Sequence, residues 1–144
     1  MWRELVEKAS RKSTFHPPAT RARLRAAEKS LGTALPDELE SVLLESNGVL
    51  GEYDLGLVWS IERIEEDNAQ FRASADFRRL YMPFDSLLFF ADAGNGDQFA
   101  FAVLDGAVRR SDVYAWDHEN DSRSWVAPSL KTYLEWWLSG RFKL

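Results

Sequence analysis

Two short stretches of this sequence crowd acid, amide and imidazole groups closely enough to do chemistry. The first is Asp92-Ala-Gly-Asn95-Gly-Asp97, set between Phe89-Phe90-Ala91 and Gln98-Phe-Ala-Phe101. The second is Asp117-His118-Glu119-Asn-Asp121, which follows Val113-Tyr-Ala-Trp116. Glycines among carboxylates suit a calcium loop, a phosphate cradle or a tight turn. An EF-hand calcium loop needs oxygen ligands at alternating positions and a distant bidentate Glu. Here Asp92, Asn95 and Asp97 are spaced three and two apart, and no Glu follows at the right place. A phosphate cradle wants a following helix and usually a Lys; the residues after Asp97 read as a strand and carry no Lys. The turn reading fits best. Gly94, Asn95 and Gly96 tolerate positive φ, and Asp97 is placed to accept backbone N–H bonds.

For the second stretch the candidate chemistry is a metal or a proton transfer. Zinc sites generally draw on several His or Cys ligands. The chain has two His, His16 and His118, and no Cys, so neither a bound metal nor a cofactor is expected. A Ser-His-Asp triad would have to recruit one of those two histidines, and no Gly-x-Ser-x-Gly elbow exists to present the serine. Acid/base work by Asp97 with Asp117 or Glu119 remains conceivable, because paired carboxylates can split their pKa values. Sequence spacing alone does not bring them into one cleft. The alternative to binding is therefore a small hydrolase or glycan-binding protein using Asp97, Asp117, His118 and Glu119. The six Trp and nine Phe could line a sugar cleft, but Trp59, Tyr133 and Trp137 fit core positions.

These residues have to be positioned by a body of 144 residues, a length that suits one domain spanning 1–144. Apolar residues make up 45% of it, enough to fill a core without disulfides. The lack of Cys suits a reducing cytosol. No apolar run reaches the roughly 18 residues that span a bilayer, and MWRELVEKAS lacks a signal-peptide core. A cytoplasmic protein is expected. Charge is unevenly placed. Residues 1–35 hold eight Lys/Arg against three Asp/Glu, a net of +5, whereas residues 36–144 hold ten against twenty, a net of −10. The acidic body should repel nucleic acid and anionic membranes and attract basic proteins.

The elements follow from periodicity and caps. Trp2, Leu5, Val6 and Ala9 predict a helix over 2–12. Thr20 caps a second through Leu31, ended by Gly32, and Pro36 opens a third that Asn47-Gly48 stops. Residues 55–59 predict a strand, 61–70 a short helix, and 72–79 a loop or frayed helix. Strands are expected at 86–91, 98–104 and 113–116, with a turn at Asp105-Gly106 and a polar turn over 117–124. Leu130, Tyr133, Leu134, Trp137 and Leu138 make a last amphipathic helix ending at Gly140. The fold class is α+β, with a central antiparallel sheet flanked by N-terminal helices and a C-terminal helix.

In this order the motifs resemble the SUKH superfamily, named for a fungal cell-wall and glucan-synthesis regulator and its bacterial relatives. The matching stretches are Glu28-Lys-Ser-Leu-Gly32, Leu35-Pro36 opening the helix that ends at Asn47-Gly48, and Ile64-Glu-Glu-Asp-Asn68. Leu87-Leu-Phe-Phe-Ala91 leading to Gly94-Asn-Gly-Asp97, then Val113-Tyr-Ala-Trp-Asp-His-Glu119 and a helix over 129–138, complete it. The resemblance spans residues 24–138. Val49 stands where relatives often carry another Gly, and the charged segment 70–79 departs from the pattern. The resemblance implies a single domain that acts by binding, without catalysis. Many bacterial members look like immunity proteins that neutralise nucleases and other toxins of polymorphic toxin systems, which agrees with the acidic body. A basic toxin domain is thus the expected partner. The expected contact residues are Asp92, Asn95, Asp97, Trp116, Asp117, His118, Glu119 and Asp121.

Overall fold

A computed structural model describes residues 1–10 and 12–144. The chain opens with α1 (Trp2–Ala9), whose Trp2 and Val6 are buried. It is shorter than the predicted 2–12 because Ser10 is already extended; residue 11 lies outside the described residues. The Trp2 indole N–H donates to Ser41 Oγ at 2.8 Å, and the Glu45 carboxylate takes the free backbone N–H of Trp2. Together these dock α1 on α3 (Asp37–Glu45). α2 (Arg21–Leu31) begins and ends as its sequence demands: Thr20 accepts from the Arg23 N–H, and Gly32 closes the helix at φ +74°. Such a left-handed closing residue satisfies last-turn carbonyls at no Cβ cost to glycine.

Two antiparallel sheets follow where a single central one was expected. The smaller joins β1 (Thr14–Phe15), β2 (Val49–Leu50) and β3 (Gly56–Val58) in that order. The larger is a meander of β4 (Leu87–Asp92), β5 (Gln98–Ala102), β6 (Val113–Trp116) and β7 (Arg123–Ala127). They meet where the Trp59 N–H donates to the Phe90 carbonyl at 2.7 Å. Strands predicted at 55–59, 86–91 and 113–116 are observed within a residue or two. The predicted 98–104 stops at Ala102, and Leu104 bridges Ala107 across the expected Asp105-Gly106 turn.

Each face of the larger sheet carries its own aromatic layer. Phe90 and Phe99 meet Tyr133 and Trp137 of α6 (Leu130–Leu138), and Phe101 stacks on Phe90. Phe89 and Trp116 meet Phe71 and Phe84 on the other side. Phe71 lies in α4 (Ile61–Ala73), and the following stretch, predicted as a loop or frayed end, forms α5 (Ala75–Leu80). Asn68 ties α4 to the sheet. Wholly buried, it donates to the Ile64 and Phe89 carbonyls and accepts from the Phe89 N–H at 2.8 Å. A buried amide is tolerated only when paired in this way. Tyr133 does the same for α6, donating its hydroxyl to the Leu57 carbonyl of the small sheet at 3.0 Å. The fold is therefore α+β, and it delivers the β4–β5 turn and the β6–β7 loop to the same end of the meander.

Candidate functional site

The β4–β5 connection is a tight turn built as its residue types require. Gly94 and Gly96 have φ near +98° and +96°. Asn95 Oδ1 accepts from the Asp97 N–H at 3.0 Å, and Ala93 N–H donates to the Asp97 carbonyl. Asp97 turns inward and is only 8% exposed. Its Oδ1 accepts from the backbone N–H of His118 at 3.1 Å and lies 2.7 Å from His118 Nδ1. Gly96 leaves room for that ring: a Cβ there would stand 2.8 Å from His118 Cε1. Asp97 therefore fastens the β4–β5 turn to the β6–β7 loop. Burial opposes its ionisation, but the His118 ring and backbone N–H, with the Asn95 amide, outweigh this and hold the carboxyl below its ordinary range. The hydrogen bond from Asp97 in turn raises His118, helped by the charges of Glu119 and Asp117.

The β6–β7 loop is equally ordered. Asp117 Oδ1 accepts from the Glu119 N–H at 2.8 Å, and Asp117 and Ser122 close the loop through the backbone. Asp121 sits at φ +60° with its carboxylate turned inside. Oδ1 accepts from the Trp116 indole at 2.8 Å and from Arg123, while Oδ2 accepts from the Met82 N–H at 2.9 Å. Burial opposes the charge, and these donors prevail, so Asp121 also ionises below its usual range. Tyr81 adds a fourth tie, donating its hydroxyl to the His118 carbonyl at 2.8 Å.

The eight residues expected to form a contact surface thus divide. Asp97, Asp121 and Trp116, the last 3% exposed, build the loops from beneath. Asp92 is held in a bidentate pair by Arg63, with distances of 2.7 and 2.9 Å. The Arg63 guanidinium also lies 4.1 Å above the Trp59 ring. Asn95, Asp117, His118 and Glu119 reach solvent. Of these, Asp117 and Glu119 form no ion pair among the described residues. The structural partners Arg63, Tyr81 and Arg123 were not anticipated; they come from elements remote in sequence or from a segment that resembled a loop.

The arrangement limits the chemistry. Asp97, Asp117 and His118 each offer a ligand atom, all within 4.8 Å of one another, so among the described residues these three could hold a cation. Two of them are already bonded to each other. An Asp–His pair of this kind can orient an imidazole for proton transfer. Among the described residues, however, no serine or threonine hydroxyl is hydrogen-bonded to the ring. Five of the clefts among the described residues, of about 430–950 Å³, are lined by residues other than Asp97, Asp117, His118 and Glu119. The Asp117 and Glu119 carboxylates reach solvent at this end of the meander, and Asp97 lies beneath them. No helix among the described residues is long and apolar enough to cross a membrane.

Residues 21–134 match the family model SUKH_6, described as SMI1-KNR4 cell-wall. No curated protein matches the chain significantly.

Proposed function

The chain belongs to the SUKH superfamily, and from that premise we propose that it is a non-catalytic immunity protein, one binding domain over 1–144. In this reading it works in the cytoplasm and neutralises a basic toxin, of which a nuclease is the best-fitting kind. It binds neither nucleic acid nor membranes. The observation that carries the proposal is the open end of the large sheet. There Asp117 and Glu119 are free of ion pairs among the described residues, on loops locked by Asp97 and Asp121. Carboxylates carried on a loop tied down in this way are a fair substitute for the phosphates that a nuclease grips, and an ordered loop backbone lowers the entropy lost on binding. The net charge of −10 over residues 36–144 supports the same partner. Asp97, Asp117 and His118 do converge, but Asp97 is spent on tying the two loops together, which favours binding over hydrolysis.

The test is capture and neutralisation. The immobilised chain is exposed to lysate of the cells that make it, and bound protein is identified by mass spectrometry. The expected result is a basic protein that nicks plasmid DNA and stops doing so at one equivalent of added chain. The proposal fails if the chain binds no toxin, or if it itself cleaves phosphodiester or glycosidic substrates.

A further inference from the structure

The carboxylates at the end of the large sheet supply charge but little apolar area, and a stable complex needs both. Most binding energy usually comes from a few aromatic or apolar anchors beside a polar rim. Exposed apolar side chains flank the acidic loops on two sides. Leu80 and Met82 are 70% and 59% exposed. They stand on either side of Tyr81, whose hydroxyl is bonded to His118, and Met82 N–H is bonded to Asp121. This pair is therefore fixed against the β6–β7 loop.

On the opposite flank, the β2–β3 hairpin carries Tyr53, 93% exposed. Its turn is closed by the Leu55 N–H donating to the Glu52 carbonyl at 3.2 Å. Leu55 lies against the β4–β5 turn: a Cβ on Gly94 would meet Leu55 Cδ1 at 3.4 Å. Tyr53 and Asp54 both adopt positive φ, 59° and 58°, a conformation that neither side chain favours. Met82 and Tyr81 are thus bonded to the β6–β7 loop, His118 of that loop packs on Gly96 of the β4–β5 turn, and Gly94 of the same turn lies beside Leu55 and the Tyr53 turn.

Resting on the proposed function, we infer that this band is one interface. Leu80, Met82 and Tyr53 are its apolar anchors, Asp117 and Glu119 its charged centre with Asp54 beside Tyr53 at one flank, and the occupant is a basic protein. The three carboxylates form no ion pair among the described residues; of the nearby cations, Arg79 and Arg123 are paired with Asp76 and Asp121, and Arg78 donates to the Arg72 carbonyl. Charge complementarity therefore selects a cationic surface. It also argues against a second copy of this chain, because a two-fold interface sets the same patch against itself and would press carboxylate on carboxylate.

The test places the photo-reactive residue benzoylphenylalanine in the full chain, one position at a time. Met82 and Tyr53 are the test positions, with Glu4 and Lys29 on the N-terminal helices as controls. All four side chains are exposed, and circular dichroism checks that each variant is folded. Irradiation in the native cells should give an adduct with the same basic protein from positions 82 and 53 and none from 4 or 29. Adducts only from 4 or 29 would overturn the band and leave the proposed function standing. So would an adduct from just one of the two test positions. A product of twice the chain mass would identify self-association and refute the basic partner. No adduct from any position would overturn both this inference and the proposed function. With the cross-linked protein in hand, Leu80→Ser with Met82→Ser should speed dissociation roughly tenfold while leaving association unchanged, as loss of anchors rather than of steering predicts. An unchanged dissociation rate would refute the anchors.

Discussion

Replacing Asp97 by Ala should cost stability, because its carboxylate is a clasp between two loops. Oδ1 receives the His118 backbone N–H at 3.1 Å and the His118 ring at 2.7 Å, and Oδ2 receives the Asn95 amide at 3.3 Å. The His118 side chain is 38% exposed, so water can replace its lost partner. The part-buried backbone N–H has less recourse. Loss of a hydrogen bond to a charged group costs about 1.5–3 kcal/mol, and with the ring discounted for solvent the sum is about 2 kcal/mol. For a chain of this size that lowers Tm by about 6–8 °C. Asp97→Asn keeps an acceptor for the backbone N–H and should lose about half as much. The pH dependence gives a second signature. His118 is raised in the folded state, so its contribution is complete below its ordinary value near ~6.5 and fades as pH rises through the raised folded value. Asp97 is lowered, so its contribution is present above its ordinary value near ~4 and fades as pH falls through the depressed one. The Tm gap between wild type and Asp97→Asn should thus be widest at about pH 5–6 and narrower at pH 8.5. Scanning calorimetry at both pH values reads it. An Asp97→Ala variant that melts with wild type at pH 5.5, or a gap that widens at pH 8.5, refutes the clasp.

Gly96→Ala should destabilise by about 2 kcal/mol, since it adds a Cβ at positive φ against the His118 ring; urea denaturation gives the value. Asn68→Leu should cost about 2–4 kcal/mol, because it strands the buried Phe89 N–H and carbonyl, and hydrogen exchange should show amide protection lost along β4. Tyr53→Asn should raise Tm by a few degrees, since Asn tolerates positive φ at a cost about 1 kcal/mol lower. A lowered Tm would show that the exposed ring is stabilising its own turn. Purified without a metal-affinity tag, the protein should carry no stoichiometric zinc or manganese by elemental analysis; near-equimolar metal would make Asp97, Asp117 and His118 its ligands.

The sequence was most legible where single residues encode an ending. Thr20, Gly32 and Pro36 bound α2 and α3 through local hydrogen bonds and φ values, and the 3.6-residue spacing of α6 is dense. It was least legible where an element is short or its partner distant. The two-residue strands β1 and β2 have no period to detect. α5 shows Asp76, Arg78 and Arg79, which resemble a loop; it is held by Ser74 capping Phe77 N–H and by Phe77 packing on Phe71 and Phe84. β7 begins with Arg123, whose charge hides a strand because the guanidinium reaches the Met82 and Pro83 carbonyls. At the site, the positive-φ turn at 94–96 was readable from its glycines. The inward orientation of Asp97 toward a histidine 21 residues away, and of Asp92 toward an arginine 29 residues away, follows no spacing rule. Asp121 was expected to face solvent with Asp117 and Glu119; the Trp116 indole and the Met82 N–H draw it inward.

The proposed function has a basic partner steered onto the Asp117 and Glu119 carboxylates of the β6–β7 loop. Charge reversal belongs at Asp117 and Glu119, because Asp121→Lys would break the Trp116 and Met82 ties of the loop, whereas Asp117→Lys gives up only the solvent-exposed Glu119 N–H. The measurement is stopped-flow association with the captured nuclease from 20 to 300 mM salt, for wild type and for Asp117→Lys with Glu119→Lys. The wild-type on-rate should fall by about tenfold or more across that range, as screening shortens to within ~8 Å, and the double reversal should start slow and respond weakly to salt. A wild-type on-rate indifferent to salt, or a folded double variant that associates as fast as wild type, would contradict the steering.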